Sequence, residues 1–483
     1  MIGWIILLIG ILITVSLIYL FRDDIQNWFK RNKKKAAAVL TTGAILGAGG
    51  AGVMTDLLPG GYRPPTETLI SNSEGHYWVA SFANLQNAID DLDNESGWVN
   101  GGNNLITQDG ILYVGDNCEL YNVRLYLDDD ANCTMIRNYD QTNGNANITI
   151  HDIILDGNSG GQDVWYDCFY SYTNGIYLLK CEFVEIYSVT IYDTQNMGIF
   201  VKEGSQINVH DCMFIDLASA FDESGLKHYA AFGVWYWETY DSVISGCIVD
   251  NAFSGGFVVE SALAATYAEA TQNVSVTGCS VYDSGVGYYM EDTSHVLFDD
   301  CMVSCGTDDA CYGASTARGF FIASDVYHVT ISNSIIRDTY RGVTGSPNWI
   351  EVIGCEFTNI TSYAMNLAGS YTYIYNNVIA DIGSNGISLG GDNATVCGNH
   401  IERCGQWSAG ISIASTEDSK IFLNTIVGTG TRYPNLGVYG ANSDTNCYIM
   451  FNSMNGIQYP IYQCNARVNC TDYDDWNFYS GVS

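Results

Sequence analysis

The chain has 483 residues, 47% of them apolar, enough to bury a large core, and its 50 Gly and 34 Tyr against only 6 Pro suit many short, aromatic-rich strands joined by tight turns. Its formal charge is -34, and 6 of its 19 basic residues (Arg22, Lys30, Arg31, Lys33, Lys34 and Lys35) cluster near the start, so the remainder is more acidic still. Such a surface argues against a nucleic-acid partner; it tolerates cations, or a neutral or calcium-bridged polymer.

Residues Ile2 to Phe21 form a continuous apolar run, with Trp4 and Tyr19 near its ends, about the length that crosses a bilayer. A basic stretch and a second apolar segment, Ala36 to Leu58, follow. The Lys and Arg between the two place that loop in the cytoplasm, so residues 1–58 read as a membrane anchor of two transmembrane helices with the rest outside. The alternative is that Lys30 to Met54 is an internal export signal that is later cut. Gly47-Ala48-Gly49-Gly50-Ala51-Gly52 has the spacing of a dinucleotide loop, but no strand precedes it; close helix packing through Gly43 and Gly47 fits better.

Residues 59–80, with paired Pro64 and Pro65, read as a spacer. Ser81 then precedes Phe82, Leu85, Ala88, Ile89 and Leu92, whose spacing predicts one apolar face of a helix with Ser81 as N-cap. Such a helix is well placed to plug the open end of a solenoid. The stretch Phe82 to Asp90, a Gly-rich bend and then Gly110-Ile111-Leu112-Tyr113-Val114 resembles the N-terminal cap and first rungs of pectate-lyase-like right-handed parallel β-helix proteins. Residues 81–146 are therefore expected to be cap and first rungs.

From Asn147 to the end one phrase recurs, most cleanly as Asn273-Val274-Ser275-Val276-Thr277-Gly278-Cys279-Ser280-Val281-Tyr282-Asp283 followed by Gly287-Tyr288-Tyr289-Met290-Glu291. Stacking the copies aligns Ile153, Val189, Cys212, Cys247, Cys279, Cys301, Ser334, Cys355, Asn377, Asn399, Asn424 and Asn452 in one column, at a shortest spacing of 22 residues (Cys279 to Cys301). A period of that length signals a solenoid, and alternating apolar residues within each copy signal strands with one buried face. The expected fold is all-β: a single-stranded right-handed parallel β-helix of about a dozen rungs with an N-terminal capping helix, preceded by two transmembrane helices. Gly at the corners would supply positive φ, and the Asn column would be an amide ladder with no catalytic part.

Five Cys of that column (Cys212, Cys247, Cys279, Cys301 and Cys355) are expected to be free buried thiols. Cys118 with Cys133, Cys305 with Cys311, and Cys464 with Cys470 are candidates for disulfides in an oxidising compartment. No C-x-x-C supports a zinc site. Sequons at Asn94, Asn132, Asn147, Asn273, Asn359, Asn393 and Asn469 are candidate glycosylation sites.

The chemistry is sought in the outward columns. Two places beyond the Gly that opens the second strand of most repeats (Ala364 stands in for it once) are Tyr177, Phe200, Trp235, Val258, Tyr289 and Phe321, then Thr344, Asn366, Ser388 and Ser412. Two places further stand Leu179, Lys202, Trp237, Glu260, Glu291 and Ala323. The first column predicts an exposed aromatic stripe for stacking on sugar rings, and the second sets charge beside it. Glu260, Glu291 and Lys202 are the candidate catalytic residues; Trp235, Trp237, Tyr289, Phe200, Phe321, Tyr177, Arg318 and His228 are the candidate substrate contacts. Glu260, Glu291 and Asp292 could together hold calcium. Asp222, Glu223 and Lys227 belong to a long insertion that could overhang the strip, while His210, His295 and His400 read as solvated surface residues. Motifs of the polygalacturonase-like hydrolases and alginate epimerases are absent from the sequence.

Two functions remain open. One is a membrane-anchored, extracellular protein that binds, and as a lyase or hydrolase cleaves, polysaccharide. The other is a non-enzymatic spike, coat or adhesive component that uses the stripe to form homo-oligomers such as trimers.

Overall fold

The computed structural model describes residues 69–71, 76–78, 81–90, 92, 97–162, 173–217, 231–261, 271–305, 317–323, 325–405, 408–414, 416–428, 436–440, 447–457, 459–462 and 478–480. The two apolar segments expected to span a membrane lie outside these residues, and no described helix is long and apolar enough to cross one. Everything described belongs to one compact unit, Glu67–Ser483.

Each rung lays three strands in turn on three different sheets. Thr271–Thr277 lies in the first sheet, Ser280–Tyr282 in the second and Val286–Glu291 in the third; the next rung repeats this with Ser294–Asp299, Met302–Ser304 and Arg318–Ile322. The described strands number 16, 15 and 14 in the three sheets. Pairing is parallel, apart from the opening pair Leu69–Ser71 with His76–Trp78. The repeat starts earlier than the phrase suggests, since Gly97–Asn100 already pairs in register with Cys118–Tyr121.

Period-two burial builds the core. Val274, Val276, Cys279, Val281, Tyr288 and Met290 all point inward and are buried. Stacked over successive rungs, such residues form one continuous apolar cluster from the capping helix to Ile457. The helix Phe82–Asp90 buries Leu85, Ala88 and Ile89 against it. Ser81 caps the helix, its Oγ accepting from the Asn84 N–H at 3.3 Å. Gln86 docks the helix on the first strand of the third sheet by accepting from the Tyr113 N–H (2.8 Å) and donating to its carbonyl (3.2 Å).

The inner column of the repeat is buried throughout, and its Asn members form a ladder. Nδ2 of Asn377 donates to Oδ1 of Asn399, Asn399 to Asn424 and Asn424 to Asn452, at 2.9, 2.9 and 3.0 Å. The thiols of the same column point to carbonyl oxygens of the preceding rung, as Cys279 does to Ile244 at 3.7 Å. Cys118 and Cys133 are free thiols, which corrects the pairing considered for them; Cys311, Cys464 and Cys470, and with them the other two pairings, lie outside the described residues.

The glycines have two separate causes. Gly278 sits at the corner between first and second sheets with φ +62°, a conformation that strains most side chains. The Gly that opens most third-sheet strands, with Ala364 in its place once, has no such φ but faces a crowded neighbour. A Cβ on Gly287 would lie 2.4 Å from the carbonyl oxygen of Gly319, and one on Gly256 would lie 2.5 Å from that of Gly287. Close approach, not positive φ, therefore keeps these positions empty.

Candidate functional site

The outward columns of the third sheet carry the candidate residues, and the pairing aligns them rung by rung. Tyr177, Phe200, Trp235, Val258, Tyr289, Phe321 and Thr344 pair in sequence along one column. Leu179, Lys202, Trp237, Glu260 and Glu291 do so along the other. His228, Asp222, Glu223 and Lys227 lie outside the described residues.

The upper half of the stripe is not exposed, which corrects the sequence expectation. Tyr177, Phe200, Trp235 and Val258 are buried within the single chain, together with Met197 and Phe232, in a second apolar cluster separate from the β-helix core. Their rings interlock: Tyr177 stacks on Phe200 at 5.1 Å, Phe232 meets Trp235 edge-on at 5.6 Å, and Trp235 stacks on Trp237 at 5.9 Å. Burying these faces removes them as open platforms for a ligand. Alternation alone could not reveal this, because it reports which way a side chain points and not what lies above it.

The cluster emerges to solvent at its C-terminal side. Trp237, Lys202, Glu260, Tyr289, Glu291, Asp292 and Phe321 are all partly exposed. The Lys202 ammonium lies over the Trp237 ring at 5.2 Å and within 3.8 Å of Glu203. Arg318, which belongs to a strand and not to an overhanging loop, places its guanidinium 4.0 Å above the Phe321 ring.

Glu260 and Glu291 face each other across one strand pairing, an interval of about 4.8 Å. Burial, reinforced by the charges of Glu291 and then Asp292, pushes Glu260 up from 4.5 to about 7, with the Trp235 indole N–H pulling slightly the other way. Tyr289 donates its hydroxyl to the Glu291 carboxylate, and burial with that bond raises the phenol well above its ordinary value. Burial and the charges of Glu291 and Asp325 raise Asp292 as well. Glu260 is therefore shifted toward holding its proton near neutral pH, while its neighbour Glu291 accepts the Tyr289 hydroxyl. The sequence placed Tyr289 as a sugar platform and missed this second role, whose only signal was its place two residues before Glu291.

Among the described residues, no group of three or more His, Cys, Asp or Glu is arranged to hold a metal ion. The three carboxylates considered for calcium, Glu260, Glu291 and Asp292, thus do not make such a group. Five sequon residues are described, and three of them bond to the preceding rung through the nitrogen a glycan would occupy: Asn147 to Asn117 (3.0 Å), Asn273 to Asp241 (2.9 Å) and Asn359 to Asp338 (2.7 Å). Asn132 and Asn393 also sit at positive φ. Asn94 and Asn469 lie outside the described residues.

Histidines are less isolated than the sequence implied. Tyr121, His151, Tyr187 and His210 stack nearly parallel up the first sheet at 4.9, 4.6 and 5.1 Å. Glu119 and Asp152 flank His151; Glu185 and Asp211 flank His210.

The architecture has known counterparts. A tailspike protein of E. coli bacteriophage HK620, solved in complex with a pentasaccharide, superposes with a TM-score of 0.56 at 12% identity, over 83% of this chain and 75% of that one. The chain has the right-handed parallel β-helix fold. The pre-mature gene product 12 of bacteriophage phi29 matches this β-helix with a TM-score of 0.52 at 14% identity, over 82% of this chain and 55% of that one. Residues 249–435 match the family described as periplasmic copper-binding protein (NosD). No curated protein matches in sequence.

Proposed function

We propose that this β-helix is a glycan-binding protein of the cell or virion surface, anchored by residues 1–58, and that Glu260 and Glu291 act on a glycosidic bond. The observation that carries the reading is the pairing of these two carboxyls, one protonated near neutral pH and one hydrogen-bonded by Tyr289, at the mouth of an aromatic cluster. Separated environments of this kind define an acid and a base.

Glu260 is the proton donor to the departing glycosidic oxygen, and Glu291 is the nucleophile or base. Their places on neighbouring strands put both carboxyls within reach of one glycosidic bond. Trp237, Tyr289, Phe321, Arg318 and Lys202 contact the sugar, while the buried Tyr177, Phe200 and Trp235 support them from behind. The pentasaccharide held by the structurally similar tailspike is consistent with this use of the fold. Any calcium would have to be completed by the ligand, because the described carboxylates do not assemble a site.

A screen of the protein against neutral and acidic polysaccharides, reading reducing ends and unsaturated products, tests the proposal. Glu260→Gln and Glu291→Gln should each lower product formation by about 100-fold or more. Absence of product from wild type, or equal product from the variants, would retire catalysis. Against the competing reading, a spike that self-associates through the stripe, stands the burial of Tyr177, Phe200, Trp235 and Val258 within one chain, though Trp237, Tyr289 and Phe321 stay partly open. Membrane fractionation with and without residues 1–58 tests the anchor.

A further inference from the structure

One corner of the β-helix carries left-handed backbone in rung after rung. Asn273, His295, His328, Trp349, Tyr371 and Asn393 occupy equivalent places, with φ between 52° and 68°. Asn tolerates this conformation through its short amide, and it fills the column on both sides. The four rungs between carry rings, for which the same conformation is costly. Phe183 and Gln206 hold the same conformation at this place in earlier rungs, so the fold sets it, and what is particular here is the run of four successive rings.

The four rings form an exposed ladder. His295 stacks on His328 at 4.8 Å, and Trp349 on Tyr371 at 5.7 Å with planes 23° apart. Between them His328 and Trp349 meet at 5.1 Å but are tilted by 41°, which opens a wedge between the two planes. Tyr373, on the adjoining column, stands 5.8 Å from Trp349 at 52°. Trp349 is 40% exposed and Tyr371 44%.

Position links the ladder to the carboxyl pair. His295 follows Glu291 by four residues on the same rung, so the ladder begins beside Glu291 and runs about 14 Å toward the C-terminus. A polymer that turns from the carboxyl pair across the corner onto the first sheet meets it. Ring faces at the wedge suit the C–H faces of sugars, and the imidazole and phenol tips suit their hydroxyls.

We propose that the corner His295–His328–Trp349–Tyr371 is an extended glycan-binding ladder, holding the part of a polysaccharide that runs beyond Glu260 and Glu291. The proposal rests on the glycan reading above.

Its test uses Asn, the residue that the same corner takes in adjacent rungs. Wild type, Trp349→Asn/Tyr371→Asn and Glu260→Gln/Glu291→Gln are run by affinity electrophoresis in gels cast with dextran, mannan, xylan or polygalacturonate, with melting temperatures measured alongside. The expected result is that wild type is retarded by at least one polymer and the corner variant binds it on the order of tenfold more weakly, with a melting temperature equal to or above wild type. Equal retardation overturns the ladder while leaving the carboxyl site intact. A loss of retardation accompanied by a fall in melting temperature also overturns it, because the rings would then serve the fold. Sedimentation that shows wild type associating and the corner variant monomeric would reassign the corner to contact between copies. A wild type retarded by none of the four polymers overturns both this inference and the glycan reading.

Discussion

Glu260 and Glu291 stand opposite each other on hydrogen-bonded neighbouring strands, and Glu291 receives the hydroxyl of Tyr289. The sign of the resulting pH effect is fixed. The folded value of Glu260, about 7, lies above its ordinary 4.5, so between these limits the native state keeps a proton that the unfolded chain has lost. This contribution to stability is complete below about pH 4.5, declines as pH rises, and is gone above about pH 7. Glu260→Gln, which stays neutral, should match wild type at pH 4 and exceed it by about 2 kcal/mol at pH 8, allowing for partial exposure. Urea melts at both pH values check this, and equal differences at the two would contradict it.

The aromatic cluster on the third sheet is a second core. Phe200, fully buried between Tyr177 and Trp235, should cost about 3–4 kcal/mol when replaced by Ala. Chemical denaturation measures the loss, and a change below about 1 kcal/mol would mean that the cluster is only loosely covered.

The Asn ladder is cooperative in its geometry. Oδ1 of Asn399 accepts from both the backbone N–H and the side-chain Nδ2 of Asn377, and its Nδ2 donates to Asn424 and to the Ile374 carbonyl. Asn399→Ala strands buried partners on two rungs and should cost about 2–4 kcal/mol. Cys355→Asn, one rung earlier, extends the ladder onto Asn377 and should be far milder. Thermal melts of the two variants compare them directly.

Burial pushes the Cys247, Cys279, Cys301 and Cys355 thiols well above their ordinary value. All four should resist a thiol-specific reagent at pH 8 in the native protein and react promptly in guanidinium. Mass spectrometry of the alkylated peptides reads each site, and native labelling at any of the four would show that its rung opens locally.

Much of the fold was legible because a solenoid repeats its local rules. The column from Ile153 to Asn452, the inward Val274 and Val276 and the outward Tyr289 and Glu291 all follow from a period of two within strands and a period near one rung between them. The amide ladder was legible for the same reason. Disulfide pairing was not, since Cys118 and Cys133 differ from paired thiols only in their spatial separation.

The carboxyl pair shows where sequence and tertiary structure divide. By itself the sequence determined that Glu260 and Glu291 share a column beside aromatic residues, because register in a parallel β-helix is set by the repeat. Only the tertiary structure decided that Phe200 and Trp235 are closed off while Trp237, Tyr289 and Phe321 stay partly open, that Tyr289 serves Glu291, and that strained rings line the next corner. Direction along a strand is a local property. Coverage, desolvation and the choice of hydrogen-bond partner depend on what other rungs bring above the sheet, which no spacing within one repeat encodes.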